Sequence, residues 1–336
     1  MTRRRLLAAA VGAGVVLAAL PALAEVDAGS TSAEAAEASE AQALALLERA
    51  AQAGRRLSYS GTQYVASWRQ GSSESELVDF SHDPSTGSVV QGGEAVSATA
   101  TLDPRMLVRL SASYVLAVAG PGRCTGRAAS VVEARRGDGQ VAGRFWVDRD
   151  TGMLLRREVF DAEGERVRSS AFVDLDVRPA APAAPVMALT VRTGGARPSQ
   201  AAVDRLRTDG WLVPEVLPEG FRLFETRRNG DVLHLAYTDG LSTLSLFAQD
   251  GELGSGPMAG FRADRVGGRP VWVRRAAPER VVWSGGDRVW TLVSDAPEDA
   301  VLAAVGALPR DPAPDEGLRS RLGRGLSRLG GLLNPF

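Results

Sequence analysis

Apolar and small polar residues alternate along most of this chain, and that alternation belongs to strands. Leu57 to Trp68 sets aliphatic and aromatic residues against Ser, Gly, Thr and Gln, the pattern of a long half-buried strand. Strands are predicted at Glu76 to Ser81, Ser88 to Gln91, Ala95 to Leu102 and Tyr114 to Ala119, then as a meander over Cys124 to Arg135, Val141 to Asp148, Met153 to Asp161 and Arg166 to Val177. Gly137-Asp138-Gly139, Asp150-Thr151-Gly152 and Asp161-Ala162-Glu163-Gly164 are the connecting turns. In the last strand Val167, Ala171, Val173 and Leu175 share one face, while Arg166, Arg168, Ser170 and Asp174 share the other with Phe172. One covered and one wet face is the mark of an antiparallel sheet. Helical spacing appears at Ala41 to Ala53, where Leu44, Leu46, Leu47, Ala50 and Ala51 form an apolar stripe that Gly54 ends. Such a helix is a natural cover for the apolar face of a large curved sheet. Leu102 to Leu110 reads as strand or as a turn of helix beginning at Asp103-Pro104.

Pro179, Pro182, Pro185 and Pro198 punctuate residues 178–200, a semi-rigid linker. A helix over Ala201 to Asp209, capped by Ser199, follows. From Trp211 the chain is dense in turn chemistry. Pro218-Glu219-Gly220 fits a tight turn, and Asn229-Gly230 and Asp239-Gly240 bracket Val232 to Tyr237 as hairpin signals. Strands are expected at 221–228, 231–238, 241–249, 260–265, 270–275, 279–284 and 287–294, and then a helix from near Ser294 to Leu308, capped by Ser294 or Asp295. The fold class is mainly β (α+β): a curved antiparallel sheet with a covering helix, then a smaller α+β antiparallel-sheet domain. Residues 41–177 and 201–309 are the two domains.

Composition adds the compartment. Arg3-Arg4-Arg5, the apolar Leu6 to Leu20 and Ala22-Leu23-Ala24 make residues 1–24 a signal peptide of the secretory or twin-arginine kind, retained or cleaved. Residues 25–40, rich in Ala, Ser and Glu, read as a flexible leader. Loss of three Arg takes the formal net charge from −1 to −4, which argues against nucleic acid as a partner. Cys124 is the only cysteine, so no internal disulfide forms; it reads as a small buried apolar residue, with pairing between chains as the alternative. A homo-oligomer therefore stays open. Residues 310–336 are an acidic linker and a basic tail. From Gly317 onward Leu318, Leu322, Leu326, Leu329 and Leu333 recur at helical spacing among four Arg, which suits a membrane-surface or partner-binding helix, or else a helix folded back on the protein or a frayed tail broken by Gly323, Gly325, Gly330 and Gly331.

Catalytic chemistry finds no foothold. His82 and His234 stand apart with no metal-ligand spacing, and His234 is the one group from Trp211 to Asp250 expected to titrate near neutrality. Asp148/Asp150 and Asp174/Asp176 fall at strand ends or on a wet face, and Pro121 spoils Gly120-Pro121-Gly122 as a phosphate cradle. The expectation is a binding protein rather than an enzyme, with no cofactor and no metal.

Two stretches carry a family resemblance. Gly143 to Gly164, with Gly126-Arg127 before it, resembles the LolA-type lipoprotein-carrier domains, which are curved antiparallel half-barrels holding helices in their mouth. Trp211, Leu217-Pro218-Glu219-Gly220-Phe221, His234 to Leu241 and Ser245 to Phe247 resemble the C-terminal domain of the RseB/MucB family of sigma-E regulators. Together they cover roughly residues 41–308. The resemblance implies an exported protein that binds the extracytoplasmic segment of a membrane-spanning anti-sigma factor and shields it from proteolysis, with an acyl-chain ligand releasing the grip. On that reading Trp211, Pro218, Phe221, Tyr237, Asp239 and Phe247 carry partner binding. Tyr59, Tyr64, Trp68 and Phe145 line a lipid cavity. The alternative is a lipid or lipoprotein carrier of the cell envelope. The Arg-rich tail, Cys124 and the leader depart from the family pattern.

Overall fold

The computed structural model describes residues 28–69, 72–91, 102–178, 198–254, 256, 258–275 and 278–310. The signal peptide, most of the Pro-rich linker, all but the last residue of the Ala95 to Leu102 strand, and the basic tail lie outside these residues.

Ala28–Arg56 is one helix of 29 residues, α1. This corrects the flexible leader from residue 28 onward. Between Ser30 and Ala53 there is no Gly or Pro, and Ala, Glu, Gln and Leu are strong helix formers even where they bury little. The helix also runs through Gly54, ending with Arg55 and Arg56 against the negative end of its dipole.

A nine-stranded antiparallel sheet follows: β1 (Ser58–Arg69), β2 (Ser72–Asp83), β3 (Gly87–Gln91), β4 (Val115–Cys124), β5 (Arg127–Arg135), β6 (Val141–Asp148), β7 (Leu154–Phe160), β8 (Arg166–Phe172) and β9 (Asp176–Arg178). Its order is β3-β2-β1-β8-β7-β6-β5-β4, with β9 beside β1. A helix α2 (Pro104–Ser113) precedes β4; Asp103 caps it by accepting a 2.8 Å bond from the Arg105 N–H, so the ambiguous Leu102 to Leu110 piece is helix. The strand expected from Cys124 is broken by a two-residue turn, Thr125-Gly126, with φ of 52° and 74°. The expected last strand is split between β8 and β9, where Gly61 meets the Asp174 carbonyl so closely that a Cβ would sit 2.3 Å from it. Its faces are also reversed: Phe172 is buried and Val173 is 53% exposed. Arg168, on the face that reads as wet, is buried because the second sheet covers it.

The inner face of the first sheet is covered by Ala43, Leu47, Ala50 and Ala51 of α1 and by Leu107 and Leu110 of α2, packed on Phe145, Val147 and Leu154. A separate cluster holds Tyr59, Phe80, Met153, Leu155 and Phe172. Arg49 ties α1 to the β6–β7 turn by bonds of 3.0 and 3.1 Å to the Arg149 and Asp150 carbonyls.

Helix α3 (Gln200–Thr208), capped by Ser199 as expected, leads into a seven-stranded antiparallel sheet. It comprises β10 (Arg222–Asn229), β11 (Val232–Thr238), β12 (Thr243–Asp250), β13 (Arg262–Val266), β14 (Arg269–Arg274), β15 (Glu279–Ser284) and β16 (Arg288–Ser294), in the order β10-β11-β12-β16-β15-β14-β13. The closing helix α4 (Glu298–Ala307) starts later than its expected caps. Ser294 and Asp295 are engaged elsewhere: the Ser294 hydroxyl accepts from the Ala296 N–H at 2.9 Å, and Asp295 accepts from the Thr243 N–H at 2.7 Å. Beyond α4 the chain crosses the β15–β16 turn. There the Trp283 indole N–H donates to the Pro309 carbonyl at 2.8 Å, and a Cβ on Gly285 would lie 2.1 Å from the same oxygen.

Candidate functional site: the junction of the two sheets

The two sheets meet through charged and polar side chains and through one inserted leucine, Leu241. Tyr114 stands at the end of α2, just before β4, and Asp239 opens the loop between β11 and β12. The Tyr114 hydroxyl donates a 2.6 Å bond to one carboxylate oxygen of Asp239. The other oxygen accepts from the Leu241 and Ser242 N–H groups at 2.8 and 2.6 Å. Burial pushes the Asp239 carboxyl above its usual range against the pull of these donors, and burial with the nearby carboxylate pushes the Tyr114 phenol up as well. Each holds its partner in place.

The loop that carries Asp239 is shaped for the contact. Gly240 has φ of 101°, and a Cβ there would lie 2.4 Å from the backbone of Leu110 in α2, so only glycine permits this approach. Leu241 then enters the core of the first sheet, among Leu47, Leu110 and Phe145. Two ion pairs flank the loop. Arg69 at the end of β1 meets Glu279 of β15 at 2.5 Å, with side chains only 9% and 3% exposed, and burial pushes the Glu279 carboxyl up with Arg69 opposing. Arg168 of β8 meets Asp295 at 3.3 Å. Arg157 of β7 lies among Asp295, Asp239 and Arg168; burial lowers its pKa, and its Nε has no hydrogen-bond partner. Removing one member of such a buried pair strands the other, which typically costs about 3–5 kcal/mol. The arrangement fixes one sheet on the other; it offers no nucleophile. Among the described residues no group of three His, Cys, Asp or Glu is placed to hold a metal.

The residues of the Trp211–Phe247 pattern have other neighbours than a partner. Trp211, Phe221 and Tyr237 are 6%, 1% and 0% exposed and belong to the second core. The Tyr237 hydroxyl donates to the Pro214 carbonyl at 2.9 Å, and Arg288 lies over the Trp211 ring at 4.3 Å. Pro218 leads the tight turn, where Glu219 as well as Gly220 has positive φ. Phe247 stacks on His234, ring centroids 4.4 Å apart. Burial lowers the His234 pKa to about 4, so the one group expected to titrate near neutrality is uncharged there. Of the six, Asp239 bonds across the junction.

With that geometry in place, comparison with known proteins finds a match for part of the first sheet. Residues 68–190 match the MucB/RseB N-terminal domain. No curated protein matches the sequence. Among solved structures, MucB in complex with MucA(peri) is 23% identical over 81% of this chain and 100% of that one, with a TM-score of 0.44. The MucA/MucB complex of Pseudomonas aeruginosa is 24% identical over the same shares, with a TM-score of 0.43. A crystal structure of MucB is 21% identical over 79% and 97%, with a TM-score of 0.47.

Within and beside this MucB/RseB domain, the four expected cavity residues are not brought together. Strand alternation sends Tyr59 inward and Tyr64 and Trp68 to the opposite face, where Tyr64 is 39% exposed and Arg166 lies over the Trp68 ring at 4.4 Å. Tyr59 stacks on Phe80 in one cluster, whereas Phe145 is sealed in the other under α1. A hollow of about 390 Å³ opens instead between α1 and α2, with Leu44, Ala51, Leu107 and Val108 as its apolar lining and Glu48 and Arg55 among its polar residues. Cys124 is half-buried, its sulfur 3.7 Å from the Leu155 carbonyl. Sequence reasoning missed Tyr114, Arg69, Arg157, Arg168 and Glu279. A local signal existed only for the loop, in Asp239-Gly240.

Proposed function

We propose that the protein is an exported regulator that binds the extracytoplasmic segment of a membrane-spanning anti-sigma factor and holds back an envelope-stress sigma factor. The MucB/RseB N-terminal domain at residues 68–190 is the observation that carries this reading. The Trp211–Phe247 pattern adds support, since it builds a second sheet locked onto the first through Asp239. Shielding of the bound segment from proteolysis is part of the proposal. The test is capture from native envelopes with the tagged full chain, alongside a deletion strain. Recovery of a single-span anti-sigma protein and raised sigma output on deletion are expected. Failure of both would end the idea.

The hollow between α1 and α2 favours a second role, binding of an acyl chain, either to release the partner or as a carrier. Its apolar lining and polar residues suit an amphiphile. Native mass spectrometry of the purified chain checks it: an acyl adduct that disappears in Leu107→Glu is expected, and a ligand-free spectrum counts against it.

A further inference from the structure

The face of the first sheet opposite α1 has an organised surface that neither the fold nor the junction needs. In register across five strands, Trp146 of β6 stands beside Arg156 of β7, then Ala171 of β8, Tyr64 of β1 and Leu77 of β2. The guanidinium of Arg156 lies over the Trp146 ring at 4.7 Å, and Arg144 lies over Trp146 at 5.9 Å and over Phe160 at 5.5 Å. Beneath them two carboxylates are nearly buried. Glu133 takes Arg135 and Arg144, and Glu158 takes Arg156 and Arg166, with 7% and 4% of the acid side chains exposed. The four arginines keep 33–42% exposure, so four cations against two covered anions leave a net positive surface there. At the other end of the row Tyr64 and Leu77 pair directly and are 39% and 62% exposed. Asp79, two positions beyond Leu77, marks where the surface turns acidic.

We propose that this row is a docking surface for an acidic amphipathic polypeptide segment, its carboxylates on the Arg144/Arg156 end and its apolar residues on Tyr64 and Leu77. Guanidiniums already held over aromatic rings and by ion pairs lose little freedom on meeting a further carboxylate. The polarity of the row sets a spacing. Neighbouring strands are about 4.8 Å apart, so Tyr64 and Leu77 lie roughly 10 and 14 Å from Arg156. A helix rising 1.5 Å per residue would place acidic and apolar residues about 7–9 positions apart to match. This deepens the proposed function, and rests on it for the identity of the polypeptide that is held.

The test uses the full chain and a synthetic helical peptide with a Glu pair and a Leu pair seven residues on, its Glu→Gln counterpart, and phosphatidylglycerol vesicles. Binding of the acidic peptide is expected to weaken about tenfold for the Gln peptide and again in 0.3 M salt. Arg144→Gln with Arg156→Gln should lose the same. Because that pair bares Glu133 and Glu158, a second variant, Tyr64→Ser with Leu77→Ser, alters only exposed side chains and should weaken binding about fivefold or more. Equal binding of the two peptides, an unchanged Tyr64→Ser/Leu77→Ser variant, or a preference for the vesicles overturns the proposal. If envelopes yield no anti-sigma partner to the wild type, the functional reading fails while the peptide still decides this face. If they yield equal amounts to the wild type and to Tyr64→Ser/Leu77→Ser, the docking surface alone is wrong.

Discussion

The second sheet gathers Trp211, Phe221, Tyr237, Trp283 and Trp290 into one continuous core closed by α4, and every residue of that core comes from residue 203 onward. The first sheet has more strands and less to bury. Its core is divided in two, leans on the alanines of α1, and takes in Leu241 from the far side of the junction. The dependence therefore runs one way. A self-sufficient aromatic sheet acts as the anvil, and a longer, thinner sheet is completed by it.

The largest expected effect tests the anvil. Trp283→Ala removes a fully buried indole stacked on Trp290 at 6.3 Å, and should cost about 3–5 kcal/mol. Hydrogen-exchange protection should fall in both sheets; loss confined to the second would break the one-way picture. Leu241→Ala comes next, at about 2–5 kcal/mol. Here the protection should drop in α1, α2 and β6, away from the mutated loop, and a loss restricted to β11 and β12 would refute the borrowing. Tyr114→Phe is the mildest, about 1–3 kcal/mol, because Asp239 keeps two of its three donors. Its signature is faster proteolysis between the sheets with each core unchanged, read by limited trypsin digestion.

All seven strands of the second sheet were legible because their signals are local: Gly230, Gly240, Gly251 and Gly286 have positive φ at or beside the turns that the sequence marks. The capping of α3 by Ser199 was legible for the same reason, whereas α2 was ambiguous from its sequence. The start of α1 was not, since an Ala/Ser/Glu stretch with little to bury resembles a leader until propensity is summed over its whole length. The faces of β8 were misread because Arg168 is buried against Asp295, 127 positions away in sequence. The Trp211–Phe247 pattern carries folding information: most of its residues make a core, and one, Asp239, makes the joint.

The chain's exit past α4 has a practical corollary. Residue 308 looks like a natural place to end the polypeptide, because the last helical turn is complete there. Yet the carbonyl of Pro309 is the acceptor for Trp283 at the centre of the anvil, and Arg310 reaches back to the Val266 and Gly306 carbonyls. A polypeptide ended at Arg310 keeps both of these contacts. Two residues further in, a cut would strip a buried indole of its acceptor.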